Sequence, residues 1–249
     1  MCAQNSTKTV DNASQSVKLL VFRFVGKGGA AVRLSMNTRY AVIHASFWGA
    51  YGSLWAFIAL VLERAGSFLL GLWFEEGSVA YNAIMYFGIV AFSEEGAKYF
   101  LLRRRTWHSA AFNCQFDGVV YAVFVALGFA LWENISYVLM YGLSTALVRA
   151  VTAVPGHACF GVFMGVWYGL AKRLHGQGRD GASKLCRVLA LLLPALLHGC
   201  YDFIASIESV HYGWLFAAFV AILFVLAFIL VRRQARHDRY INNYDAEYL

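Results

Sequence analysis

Long apolar stretches separated by short polar, basic ones dominate this chain. They run approximately over Tyr40–Leu62, Val79–Leu102, Phe116–Met140, Ala150–Ala171, Val188–Ile207 and His211–Val231. Each is near the ~20 residues a helix needs to cross the hydrocarbon core of a bilayer. Ala65–Phe74 is too short to span and reads as a re-entrant or interfacial piece. Residues 1–39 have no basic, apolar and small-residue cleavage pattern, so they read as a flexible cytoplasmic extension and not a signal peptide. Residues 232–249 read as a basic, polar cytoplasmic tail. The pattern predicts an all-α, polytopic membrane helix bundle over residues 40–231, with about six transmembrane helices and both termini cytoplasmic.

Composition and charge sharpen this picture. The chain has 249 residues, 60% of them hydrophobic and 14% charged, against about 25% charged in an average soluble domain. Its mean hydropathy is +0.56, and its length leaves no room for a separate soluble domain beside the bundle. With the N-terminus inside, 18 of the 21 Lys and Arg residues fall in cytoplasmic stretches. Only Arg64 and Arg149 fall outside, and Lys98 lies within a span. That alternation is what the positive-inside rule demands, so the net charge of +7 reports topology and not a nucleic-acid partner. The five cysteines form no C-x-x-C pair and read as small buried hydrophobes.

Four polar clusters interrupt the apolar segments. Ser93-Glu94-Glu95-Gly96-Ala97-Lys98 lies inside the second, and either carboxylate can reach Lys98 along one helical stripe. Asp117 opens the third segment, and Glu133-Asn134 lies late in it. Pro155-Gly156-His157 leads the fourth, followed by Gly161, Gly165 and Gly169 at a spacing that lets another helix approach closely. Pro155 frees a backbone carbonyl just before His157, which suits a polar cavity. His198 and Asp202, four apart in the fifth segment, share a face and can hydrogen-bond. Glu75-Glu76-Gly77 repeats the Glu-Glu-Gly triplet without a matching Lys and reads as a solvated loop.

Each cluster alone has a structural reading. Glu94, Glu95 and Lys98 could be a self-neutralised pair, Asp117 an N-cap, and Glu133 with Asn134 headgroup-level residues. His157 could be a hydrogen-bonding residue, and His198–Asp202 a helix contact. Together they exceed what packing needs, because each charge near mid-membrane costs about 2.5–3.5 kcal/mol on insertion scales. If they converge, a glutamate could act as general base on water. Histidines could hold a metal ion or stabilise an oxyanion, and attack of that water on a peptide carbonyl is the simplest chemistry available. The axial count runs against convergence. At about 1.5 Å per residue Glu94 and Glu95 lie about 20 Å from Val79, toward the cytoplasmic half, whereas His157 lies near the outer end of its segment.

The ordered motifs Glu-Glu-x-x-Lys, Phe-Asp-Gly-x-x-Tyr and Gly-Phe-Ala-x-x-Glu-Asn-x-x-Tyr, a His four before Gly, and His-Gly-x-x-Asp span residues 85–205. This combination resembles the PrsW intramembrane proteases, in the glutamic-type membrane protease superfamily that includes the CAAX-processing enzymes. The resemblance implies a multi-pass protease of the bacterial plasma membrane. It would cut single-pass, membrane-tethered proteins, typified by an anti-sigma factor cleaved at the first site of regulated proteolysis. It implies catalytic roles for Glu94, Glu95, His157 and His198, with Lys98, Asp117, Glu133, Asn134 and Asp202 in support. A divalent metal such as zinc on Glu95, His157 and His198, and glutamate-activated water without metal, both stay open, as does the oligomeric state. Two rival readings are a proton-coupled transporter, which the lack of an internal motif repeat disfavours, and a non-catalytic scaffold for transmembrane segments.

Overall fold

The computed structural model describes residues 55–207 and 209–241. Helix α1 covers 55–71. One helical run then comprises α2 (Val79–Ala83), a π-helical segment (Ile84–Val90) and α3 (Ala91–Thr106). It is followed by α4 (Asp117–Tyr141), α5 (Leu143–Val151), α6 (Ala153–Gly176), α7 (Asp180–Ala205) and α8 (Val210–Arg236). Among the described residues, four stretches are long and apolar enough to cross a membrane: Asp117–Tyr141, Leu143–Gly176, Asp180–Ala205 and Val210–Arg236. They coincide with the last four predicted segments. The second predicted segment is the α2–α3 run, whose helix changes register at the π segment. Residues 40–54 of the first lie outside the described residues. Exposed Leu131, Leu139, Trp214, Ile222 and Val225 supply the apolar outer surface a bilayer requires.

Two local expectations change. Ala65–Phe74 is not re-entrant, because α1 continues unbroken to residue 71 and a turn follows. Pro155 does not open a span interior. It sits in the first turn of α6, where a missing N–H costs no intrahelical bond. The break lies earlier, at Gly142 (φ 85°) and Thr152, which set α5 off as a separate helix. Glu75 and Glu76 are exposed in the turn, as a solvated loop should be.

The glycine spacing on α6 is used against α4. A Cβ on Gly165 would stand 2.4 Å from the Val119 Cα and 2.6 Å from the Gly118 carbonyl oxygen. One on Gly169 would stand 2.1 Å from the Gln115 carbonyl oxygen. These are backbone neighbours and cannot swing aside. Gly165→Ala is therefore expected to force α4 and α6 apart and lower stability by about 3 kcal/mol, the upper end of the overpacking range. Unfolding titrations in detergent check this, and an unchanged midpoint would refute the close approach.

Hydrogen bonds between helices set the relative heights. Thr106 Oγ1 and Tyr168 OH lie 2.8 Å apart, and Ser183 Oγ donates to the Ala171 carbonyl at 2.8 Å. Glu95 precedes Thr106 by eleven residues and His157 precedes Tyr168 by eleven, so the parallel α3 and α6 carry both to one level. The axial count from segment ends fails because the α2–α3 run begins at Val79, about three turns beyond the start of α6 at Ala153. Below this level a core of Leu101, Leu102, Trp107, Phe112, Tyr121 and Tyr168 closes the bundle. Ile241 joins that core, because residues 238–241 fold back onto the α3–α4 connection: Gln115 N donates to Arg239 O (2.9 Å) and Ile241 N to Asn113 O (2.8 Å).

Candidate active site

Lys98 is the hub. Its ammonium donates to Glu95 Oε1 (2.7 Å) and Glu94 Oε2 (3.2 Å) on its own helix and to His157 Nδ1 (2.8 Å) on α6. It also lies 4.5 Å from the centre of the Phe129 ring. An ammonium has no lone pair, so His157 Nδ1 accepts, and the ring proton is left on Nε2. That nitrogen donates to Glu133 Oε2 at 2.8 Å. From α7, His198 sets Nδ1 against Glu95 Oε1 (3.0 Å) and Nε2 against Asp202 Oδ2 (3.3 Å), with Glu94 Oε2 at 3.9 Å. The i,i+4 pairing expected of His198 and Asp202 is present. The His198 ring stacks on Phe160 at 4.9 Å, which fixes its plane.

Glu95 and Lys98 are 0% and 1% exposed, and Glu94, His157 and His198 are nearly as deep. In such a low-dielectric setting unpaired charges are very costly, so the five groups hold one another in place. Glu95 Oε2 is the exception, a buried oxygen with no hydrogen-bond partner among the described residues.

A cavity of about 360 Å³ opens onto this cluster. Glu94, Glu133, His157, His198 and Asp202 face it, whereas Glu95 and Lys98 lie behind its wall. Tyr86, Val90 and Glu94, four apart through the end of the π segment, share this wall. π segments are frequent at functional sites, and this one ends directly before α3.

The structure thus brings together Glu94, Glu95, Lys98, Glu133, His157, His198 and Asp202. It does not bring Asp117, which opens α4 sixteen residues before Glu133, about 24 Å along the helix. Its Oδ2 accepts from Asn113 N (3.2 Å) and Cys114 N (2.9 Å), clamping the connection to α4. Asn134 is not among the cavity-lining residues, since one residue past Glu133 turns it onto another face. Sequence reading missed Glu63, whose Oε1 accepts from Ser93 Oγ (3.2 Å), and also Arg64 and Arg149, all of which line the cavity. A signal was present: Arg64 and Arg149 are the two residues that breach the positive-inside bias.

The donor chemistry fits a divalent transition metal. Glu94, Glu95, His157 and His198 each offer a ligand atom, all within 4.8 Å of one another, and two carboxylates with two imidazoles suit zinc. The unsatisfied Glu95 Oε2 adds a free lone-pair oxygen beside them. Lys98 already bonds three of these four residues, so an ion seated among them would take over bonds the ammonium now makes.

The profile described as PrsW family intramembrane metalloprotease matches residues 37–231. The chain is 34% identical over 188 residues to Protease PrsW of Halalkalibacterium halodurans, covering 76% of this chain and 82% of that protein. To Protease PrsW of Bacillus subtilis it is 38% identical over 151 residues, covering 61% of this chain and 65% of that protein. To that of Shouchella clausii it is 33% identical over 162 residues, covering 65% and 73%. No solved structure matches the chain significantly.

Proposed function

Since the chain belongs to the PrsW family of intramembrane metalloproteases, we propose that the buried Glu–His cluster is its peptide-hydrolysing centre, with Glu94 as the base. The observation that carries this is the convergence of Glu94, Glu95, His157 and His198 from three helices at the wall of one cavity. The chain is a peptidase of the bacterial membrane, not the transporter or scaffold considered from sequence.

Glu94 is the glutamate that borders the cavity, so it takes the proton as water attacks the scissile carbonyl carbon. The C–O bond forms, the carbonyl π pair moves onto oxygen, and His198 Nε2, facing the same space, donates toward that oxygen. When the C–N bond breaks, Glu94 returns its proton to the departing amine. Glu95, fully buried, orients His198 and Lys98 instead. Lys98 keeps the two carboxylates and His157 in register, and the His198 Nε2–H that stands 3.3 Å from Asp202 Oδ2 at rest is given up to the oxyanion when it forms. A metal ion held by Glu95, His157 and His198, with Glu94 beside them, would supply Lewis-acid polarisation of the scissile carbonyl. A second reading, favoured by Lys98 sitting among the same donors, makes the ammonium the resident cation.

The peptide must be unwound at the cavity, because a helix hides its carbonyls in internal hydrogen bonds. We infer single-pass, membrane-tethered substrates of the anti-sigma-factor kind, cut at a first site. Residues 40–231 form the protease domain in this reading, with 1–39 and 232–249 as cytoplasmic extension and tail, and six spans place both termini inside.

The test uses purified protein in liposomes with a panel of single-pass reporters that includes an anti-sigma-factor segment. Cleavage of that segment, lost on treatment with 1,10-phenanthroline and restored by zinc, is the expected result. Cleavage unaffected by chelation would leave Lys98 as the cation, and cleavage only of soluble peptides would overturn the substrate class.

A further inference from the structure

We propose that Arg149 is a positioning residue, which acts through Glu133 to hold His157 in one tautomer and orientation. This rests on the reading of the cluster as the hydrolytic centre.

Arg149 lies near the end of α5, the nine-residue helix between Gly142 and Thr152. Apart from Ala146, this helix buries little, and Leu143, Leu147, Val148 and Val151 are all exposed. Arg149 is its polar tie to the site. One guanidinium nitrogen, Nη2, donates to Glu133 Oε1, and the guanidinium carbon lies 3.6 Å from the centre of the Tyr137 ring. Glu133 turns its other oxygen to His157 Nε2, and Lys98 occupies Nδ1. The two ends of the His157 ring are therefore held by groups of fixed role, an ammonium that can only donate and a carboxylate that can only accept.

Glu133 sits on a neighbouring helix and reaches His157 across a cavity wall. Without a partner on Oε1 its carboxylate is free to rotate on χ3 or turn toward water. A planar guanidinium stacked on an aromatic ring supplies a partner of defined direction, which a flexible ammonium does not. Carboxylates that orient an active-site histidine through its distal N–H typically change activity about 10–100-fold when removed.

The test is a double-mutant cycle of Arg149→Gln and Glu133→Gln in the liposome assay, on a reporter that the native protein cleaves. Each single variant is expected to lower kcat about tenfold with KM little changed. The double variant should be no slower than the slower single one, because both changes break the same link. Arg149→Lys should recover only part of the loss. Multiplying effects in the double variant, or native kcat in Arg149→Gln, would overturn the proposal. Glu94→Gln runs beside them: if it cleaves normally, the reading of the centre itself has failed.

A second measurement needs no substrate. In ¹⁵N-histidine spectra, with His157 assigned by its loss in His157→Gln, the native protein should show the Nε2–H form alone. Arg149→Gln should show a mixture of tautomers, and an unchanged spectrum would overturn the proposal.

Discussion

Glu94→Gln is expected to lower peptide cleavage by about 10²–10⁴-fold, the range for loss of a general base. The amide keeps the length and volume of the carboxylate and can still accept from Lys98, so the helix contacts survive. What disappears is the capacity to take a proton from water at the cavity wall. Glu94 is the cavity-facing member of the pair, with its Oε2 3.2 Å from Lys98 Nζ and 3.9 Å from His198 Nε2. Cleavage measured against a folding control reads this directly. Near-native cleavage would move the base elsewhere, and a folded but inactive variant supports the assignment.

Lys98→Met is expected to produce the largest loss of stability. The side chain is 1% exposed and bonds Glu94, Glu95 and His157 together. Methionine fills similar volume but leaves two carboxylates facing each other in a nearly water-free site. Removing one partner of a buried ion pair costs about 3–5 kcal/mol, and here two anions lose the same cation. Thermal unfolding in detergent should show a much lower midpoint. Lys98→Met combined with Glu95→Gln should recover part of it, because one stranded charge is then removed. A midpoint within error of native would mean that the ammonium contributes nothing to holding the cluster.

Much of this was legible in the chain because membranes make polar residues expensive. Lys98 within three and four positions of two glutamates, and His198 four before Asp202, fixed two pairings by helix geometry alone. The glycine repeat at 161, 165 and 169 announced a close helix contact and delivered one against Gly118 and Val119. What stayed hidden was relative helix height. Counting from segment ends separated Glu95 from His157, whereas the Thr106–Tyr168 and Ser183–Ala171 hydrogen bonds reveal a stagger that no one-dimensional count contains. Asp117 misled because a motif neighbour need not be a spatial one: sixteen helical residues separate it from Glu133. Arg149 could have been found. An arginine in a stretch predicted to lie outside, in a chain with a strong inside bias, calls for a reason other than topology.

The measurement that bears most directly on the central claim is the cleavage rate of Glu94→Gln in liposomes, taken together with its unfolding midpoint. A rate at background with a midpoint close to native is the predicted outcome, because the substitution removes a base and little else. A well-folded Glu94→Gln that cuts the reporter at the native rate would contradict the account, and Glu94 would not be the base.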